Sequence, residues 1–315
     1  MKTNKKKALI VGVNGQDGKL LFKLLSDFGY AIIGLDKNGL KTNNVIWKNK
    51  INISNQNQVF LLIKKFKPDE IYYLAAYHFS SQDKRGDIYQ ELRQSYEINV
   101  LAFLNFLEGI RLFSAKTKIF YAGSSLLFGN APTKIQTEKT AFKPTGAYGL
   151  SKEGGANLCR LYREKYNIFA AVGIMYNHES RYRTDNFLSM KIIRGAKNIA
   201  AGKQKELIIG NLKATVDWGY APDYVLAMKL ILNLKKADDF IIATGQAHTV
   251  LDFVKITFKN FGLDWKKYVR EDKKIIGEKR NVLIGDARKL KMTTGWKPSV
   301  SFPKMIEKII NNLDK

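Results

Sequence analysis

The chain predicts an α/β fold, a Rossmann-type doubly wound parallel sheet joined to a smaller C-terminal α/β substrate lobe. Three observations lead there. Short apolar runs alternate with segments of helical spacing through the first half. The first run breaks at a glycine-rich turn, Gly12-Val-Asn-Gly15-Gln-Asp-Gly18, followed by a helical segment. The second run ends on a carboxylate, Asp36. A sheet of this kind takes its ligands beyond the carboxyl ends of its strands.

The elements follow in order. Residues 8–13 are an apolar run and read as a buried strand. Residues 18–28 place Leu20, Leu21, Leu24, Leu25 and Phe28 on one helical face. Residues 30–35 form the next strand. A helix over 56–66 is closed by Pro68, and a strand occupies 70–76. Residues 96–113 read as one long amphipathic helix. A strand at 118–122 runs into a loop at Ser124, then come a helix over 151–166 and a strand over 169–175. After Tyr176 the loops lengthen and the alternation breaks. A second lobe is expected there, with 217–234 returning as a helix and 240–243 as a strand. The division expected is a dinucleotide domain over 1–175, with returning segments near 217–243, and a sugar-nucleotide lobe over 176–216 and 244–315.

Composition narrows the class. The chain has 315 residues, 45% hydrophobic, enough to build a full core and to argue against disorder. One cysteine, Cys159, excludes an intramolecular disulfide and fits a reducing, cytoplasmic setting. The basic start at Lys5-Lys-Lys7 precedes an apolar run too short for a signal peptide, and no stretch reaches membrane-spanning length. The formal charge of +25 admits an anionic substrate, a nucleic acid or simply a lysine-rich background. The lysines are spread along the chain with no arginine-rich arm. A nucleic-acid binder would leave the glycine turn unexplained, and no membrane or nucleic-acid partner is expected. No His, Cys and carboxylate cluster has metal spacing, so no metal is expected and His78 and His178 receive no ligand role. His178 reads as a packed loop residue.

Glycines between a strand and a helix permit close approach to a pyrophosphate, which then rests on the helix N-terminus. Asp36, 18 residues after Gly18, suits the ribose hydroxyls of NAD and repels a 2′-phosphate. Two readings oppose this: Asp36 caps a turn, or Lys37 neutralises an extra phosphate. The candidate NAD contacts are Gly12, Asn14, Gly15, Gln16, Asp17, Gly18, Asp36 and Lys37, with Asn52, Ile53, Leu74, Ala75 and Ala76 after the following elements.

Tyr148 and Lys152 stand i, i+4 and share a helical face. An ammonium beside a phenol favours the phenolate. A phenolate can take a proton from a sugar hydroxyl while hydride leaves the same carbon. Ser124 can hydrogen-bond the reacting oxygen. These three are the candidate catalytic residues, and Tyr148 and Lys152 also face the cofactor.

With the glycine turn, this set resembles the extended short-chain dehydrogenase/reductases. Further motifs are similar to the GDP-mannose 4,6-dehydratase family: Asn177-His-Glu-Ser180, Gly210-Asn-Leu212, Asp217-Trp-Gly219 with Asp223-Tyr224, Thr244-Gly245, Gly285-Asp286 and Gly295-Trp-Lys-Pro298. The resemblance runs from about Ala8 to Pro298. It implies oxidation at carbon 4 of a GDP-linked hexose, loss of water assisted by a glutamate two residues after the serine, and return of hydride to carbon 6. It places Ser124, Tyr148 and Lys152 on the catalytic positions and Leu126 on the glutamate. Other departures are Asp36-Lys37 in place of an NADP-type basic pair, and Val216 in place of a basic residue. The resemblance further implies substrate contacts at Ser124, Ser125, Leu126, Tyr148, Asn177, Lys191, Asn211 and Arg280. It gives Asn99 a role in holding the backbone near Lys152, against the reading of an ordinary helix-interior asparagine. It also makes the helices of 96–113 and 156–166 a dimer face, so a homodimer or homotetramer is expected.

Leucine neither gives nor takes a proton. The pattern therefore resembles a 4-dehydrogenase of a GDP-manno sugar, GDP-mannose or GDP-manno-heptose, that stops at the ketone. Two alternatives stand: reduction of a GDP-4-keto-6-deoxy sugar, and a dehydratase or epimerase with a base relocated to Glu179 or Asp185.

Overall fold

The computed structural model describes residues 5–47, 49–77, 87–272 and 282–314. The first half builds β1 (Lys7–Val11), α1 (Gln16–Asp27), β2 (Ala31–Asp36), β3 (Gly39–Asn43), α2 (Gln56–Phe66), β4 (Glu70–Tyr73), α3 (Ile88–Tyr96), α4 (Ala102–Phe113), β5 (Lys118–Ser124), β6 (Ile135–Gln136), α5 (Ala147–Tyr166) and β7 (Ala170–Met175). The remainder adds β8 (Asn177–Glu179), α6 (Leu188–Ala200), β9 (Leu207–Ile209), β10 (Thr215–Tyr220), α7 (Ala221–Leu232), β11 (Asp239–Ile242), β12 (Ala247–Thr249) and α8 (Val250–Asn260). It ends with α9 (Trp265–Tyr268), β13 (Val269–Glu271), β14 (Ile284–Gly285), α10 (Arg288–Thr294) and α11 (Phe302–Ile310).

The main sheet has seven strands in the order β11-β7-β5-β4-β1-β2-β3. All pairs are parallel except β2 with β3. The chain leaves β1 for β2 on one side and later enters β4 on the other, which opens a crevice at their carboxyl ends. Strands buried on both faces explain why β1, β2 and β7 are near-continuous apolar runs. One face is covered by α2, α4 and α5, with Leu62, Phe103, Phe106 and Cys159 in its core. The other is covered by α1 and α7, with Leu21, Leu25, Met228 and Ile231 inside. A third core forms in the second lobe, where Ile192, Phe253, Phe258 and Ile306 join α6, α8 and α11.

Three elements differ from expectation. The antiparallel β3 lies in a stretch to which the sequence assigned no element, because the turn at Asp36 folds the chain back onto β2. The helix expected over 96–113 is two helices joined by one π-helical turn, Glu97–Leu101. The stretch expected to begin a returning helix at Asp217 is the strand β10, and the helix starts only at Ala221, where Pro222 occupies its first turn. β10 pairs in parallel with β8 and antiparallel with β12, a tertiary requirement that overrides local helical spacing.

Candidate functional site

β5 ends at Ser124 and passes directly into a single 3₁₀ turn, Ser125–Leu127. Ser124 is extended, and its Oγ accepts the Leu126 N–H at 3.2 Å. Ser125 is buried and Leu126 half-buried. α5 begins at Ala147, so Tyr148 lies in its first turn and Lys152 one turn later. A Cβ on Gly149 would lie 2.7 Å from the Leu126 carbonyl oxygen, so only glycine lets this helix start rest on the 3₁₀ turn. Lys152 Nζ donates to the Ala122 carbonyl at 2.8 Å and lies 5.5 Å from the Tyr148 ring centre. The structure thus gathers the end of β5, the Leu126 turn and the start of α5 at the sheet's carboxyl edge.

Burial pushes the Tyr148 phenol above its ordinary range, Arg183 opposes the rise and Asp17 adds to it. Lys152 is itself buried, which lowers its amine to about 7, and it is held on the Ala122 carbonyl. Sequence reasoning missed Arg183. It belongs to the turn after β8, pairs with Glu179 at 3.3 Å and stacks 3.7 Å from the Phe187 ring centre. Nothing in its local sequence points to a tyrosine 35 positions away.

Asn99 lies against the helix segment beside Lys152, so the reading of an ordinary helix-interior asparagine is corrected. It is fully buried in the π-helical turn. Its Nδ2 donates to Ser151 Oγ at 2.8 Å, its Oδ1 accepts the Tyr77 N–H at 3.1 Å, and its carbonyl accepts the Tyr121 hydroxyl at 2.9 Å. It is no ordinary helix-interior residue, since the wide turn presents both its side chain and its carbonyl to neighbouring elements. Ser151, next to Lys152, in turn donates its hydroxyl to the Tyr148 carbonyl at 2.9 Å.

At the crevice, Gly12 has φ +95°, and a Cβ there would meet the Ala75 nitrogen at 2.8 Å. The turns after β1 and β4 therefore approach closely, with Leu74 N–H on the Val11 carbonyl at 2.8 Å and Ala76 exposed beside them. Asn14 and Gly15 form the exposed tip, and Gly18 is buried one helical turn behind. Asp36 does cap its turn, with Oδ1 accepting the Asn38 N–H at 2.9 Å, while its Oδ2 has no hydrogen bond among the described residues. Lys37 is exposed. Asn52 accepts from Ser54 N–H, and the Ile53 carbonyl accepts from Asn105. A glycine cradle with a carboxylate at the end of the neighbouring strand fits a dinucleotide.

Gln16 and Asp17, expected at the cofactor, reach across to the second lobe. Gln16 Nε2 donates to the His178 carbonyl at 2.9 Å, and Ser180 Oγ donates to Gln16 Oε1 at 2.9 Å. Asp17 Oδ2 lies 2.9 Å from His178 Nε2. His178 is accordingly a buried strand residue of β8, not a loop residue.

On the substrate side, Asn177 is exposed at the start of β8, opposite Trp218 of β10. Lys191 is half-buried in the first turn of α6, and burial lowers its amine. Asn211 is exposed and accepts the Lys213 N–H. Arg280 and His78 lie outside the described residues. Glu179 is buried against Ser189 Oγ at 2.7 Å and Arg183, and Asp185 pairs with Arg194 at the surface.

The site has relatives. GDP-mannose 4,6 dehydratase 2 of Arabidopsis thaliana is 36% identical over 98% of this chain and 86% of its own length. The GDP-mannose 4,6-dehydratase of Vibrio cholerae serotype O1 is 30% identical over 98% of this chain and 93% of its own. Among solved structures, RMD from Pseudomonas aeruginosa complexed with NADPH superposes with a TM-score of 0.84 at 18% identity, covering 98% of this chain and 99% of that one. The dTDP-glucose 4,6-dehydratase of Bacillus anthracis in complex with NAD gives 0.81 at 18% identity, covering 97% and 96%. The family described as GDP-mannose 4,6 dehydratase matches residues 9–309. Fold and sequence agree along nearly the whole length, and this chain belongs to the GDP-mannose 4,6-dehydratase family.

Proposed function

We propose that this enzyme oxidises carbon 4 of a GDP-linked manno-configured sugar, GDP-mannose or a GDP-manno-heptose, and releases the 4-keto product without loss of water. The observation that carries this reading is Leu126. It occupies the turn capped by Ser124, beside Tyr148 and Lys152, and brings no proton donor or acceptor. The two carboxylates that would relocate the base are engaged elsewhere, Glu179 by Ser189 and Arg183, and Asp185 by Arg194.

NAD is the cofactor of this reading, held by the Gly12–Gly18 turn with its adenosine ribose against Asp36. When bound, it supplies the hydride acceptor. Tyr148 takes the proton of the carbon-4 hydroxyl. Its phenol is raised by burial, and the Arg183 guanidinium lowers the cost of the phenolate. Ser124 steadies the same oxygen, and Lys152 anchors the helix start through Ala122. Asn177, Lys191, Asn211 and Arg280 are assigned to the nucleotide-sugar. Leu101, Leu112 and Leu161, each about half exposed along the α4 and α5 region, support self-association as a dimer or tetramer.

Mass spectrometry of GDP-mannose and GDP-manno-heptose incubated with the protein and NAD in heavy water tests the reaction. Loss of two hydrogens with NADH formation is expected. Loss of water overturns it in favour of a relocated base, and no change with either sugar turns attention to reduction of a 4-keto-6-deoxy sugar.

A further inference from the structure

The contact between α1 and β8 joins residues 161 positions apart. His178 Nδ1 lies 2.7 Å from the Tyr176 carbonyl, and Nε2 lies 2.9 and 3.1 Å from the two oxygens of Asp17. A carbonyl and a carboxylate both accept hydrogen bonds. Both ring nitrogens must then donate, which makes the side chain an imidazolium. The ring is buried and stacked on Tyr224 at 4.5 Å between centres. Gln16 grips the same strand from the other side, through the His178 carbonyl and the Ser180 hydroxyl.

We propose that Asp17 and His178, with Gln16, form a proton-dependent clamp that couples binding of the dinucleotide to the placement of the sugar-binding strand. This rests on the reading that the Gly12–Gly18 turn holds NAD. Gln16 and Asp17 open the helix immediately after Gly15, while His178 is next to Asn177, the assigned sugar contact. β8 also pairs with β10 in register from Trp218 with Asn177 to Tyr220 with Glu179. A shift of the glycine turn is therefore passed to β8 and β10 through charge-assisted hydrogen bonds. His178 and Asp17 are positioning residues here.

The groups facing the pair are Arg183 and Glu179 from the β8 side, Tyr224 from α7 and Tyr148 from α5. Asp17 outweighs Arg183 and burial, so His178 is held above its ordinary range and Asp17 below its own. The two acceptors hold the proton, which is lost as pH rises through the raised value, and the clamp weakens in that direction.

The test uses the full chain, with NADH binding followed by fluorescence from pH 6 to 9 and the imidazole nitrogens followed by ¹⁵N NMR. For the wild type, two protonated ring nitrogens are expected at pH 7, with NADH affinity falling as that signal titrates. Asp17→Asn should move the titration to lower pH and raise the NADH Kd on the order of tenfold. His178→Gln keeps a donor towards Asp17 and loses the charge, so its NADH affinity should no longer follow that titration. In turnover, both variants should raise the sugar KM more than they lower kcat. A neutral-imidazole spectrum at pH 7 would overturn the clamp. So would unchanged Kd values in both variants when the wild type binds NADH. Absence of NADH binding by the folded wild type would overturn the cofactor reading and the clamp with it.

Discussion

Ser124 Oγ accepts the backbone N–H of Leu126 at 3.2 Å, so the residue that caps this turn and the residue that departs from the family pattern are fixed to one another. A glutamate placed at 126 would begin from the same capped turn. If Leu126 is what suppresses elimination, Leu126→Glu should raise loss of water on the order of 10²-fold or more over the parent. Mass spectrometry of the product, read for the 18-unit loss of water at roughly unchanged NAD affinity, checks it. A variant that still yields only the ketone would mean that Leu126 is not what suppresses elimination.

Lys152 offers a separation of stability from activity. Its amine is lowered to about 7 by burial, while the unfolded chain keeps a lysine near 10.5. Between those values the unfolded state holds more protons, so this group makes stability rise with pH across that window. Below about 7 the full cost of burying the charge is present. Lys152→Met should be more stable than the parent at pH 6, by about 1–4 kcal/mol, and should lose that part of the pH slope. It should also lose turnover. Urea denaturation at pH 6 and pH 9, paired with an NADH assay, reads both.

Asn99 makes the opposite case. Asn99→Ala removes the side-chain acceptor of the Tyr77 N–H and the donor to Ser151 in a buried site. A loss of about 1–3 kcal/mol is expected, measured as a lower urea midpoint. Activity should fall as well, since Ser151 lies in the helix that carries Tyr148 and Lys152.

Asp36 carries the proposed preference for NAD. Asp36→Ala removes the carboxylate assigned to the ribose and leaves Lys37 beside the pocket. The ratio of NAD to NADP affinity should fall on the order of tenfold, read from direct titrations with each. An unchanged ratio would leave Asp36 with only its turn-capping bond to Asn38.

These residues also show what was legible in the chain. Local signals were sound where one element carries the information. The glycine turn, the buried β1 and β7, α2 up to Pro68 and the i, i+4 pair on α5 all read directly. What failed depends on partners distant in sequence. Thr215–Tyr220 is a strand because β8 and β12 border it, and no window of its own residues reports that. The π-helical turn inserts no proline or glycine at Asn99, so the helical spacing ran through it unmarked. Charge suffered most. Arg183, which acts on the Tyr148 phenol, was missed, and His178 was left idle although it is hydrogen-bonded to Asp17 of the glycine turn. Electrostatic partners are chosen by the fold, and their spacing in sequence carries no period.

The short antiparallel strand β3 has a consequence for how the protein behaves in a crowded solution. A parallel sheet that stopped at β2 would expose the backbone of an apolar strand to any passing chain. β3 covers that border with Gly39-Leu-Lys-Thr-Asn43, whose Lys41 and Thr42 are exposed and whose Lys41 ammonium lies 4.3 Å from the Phe22 ring centre. The rim offered to strangers is thus short, polar and charged, and edge-to-edge aggregation is discouraged on that side without a covering helix.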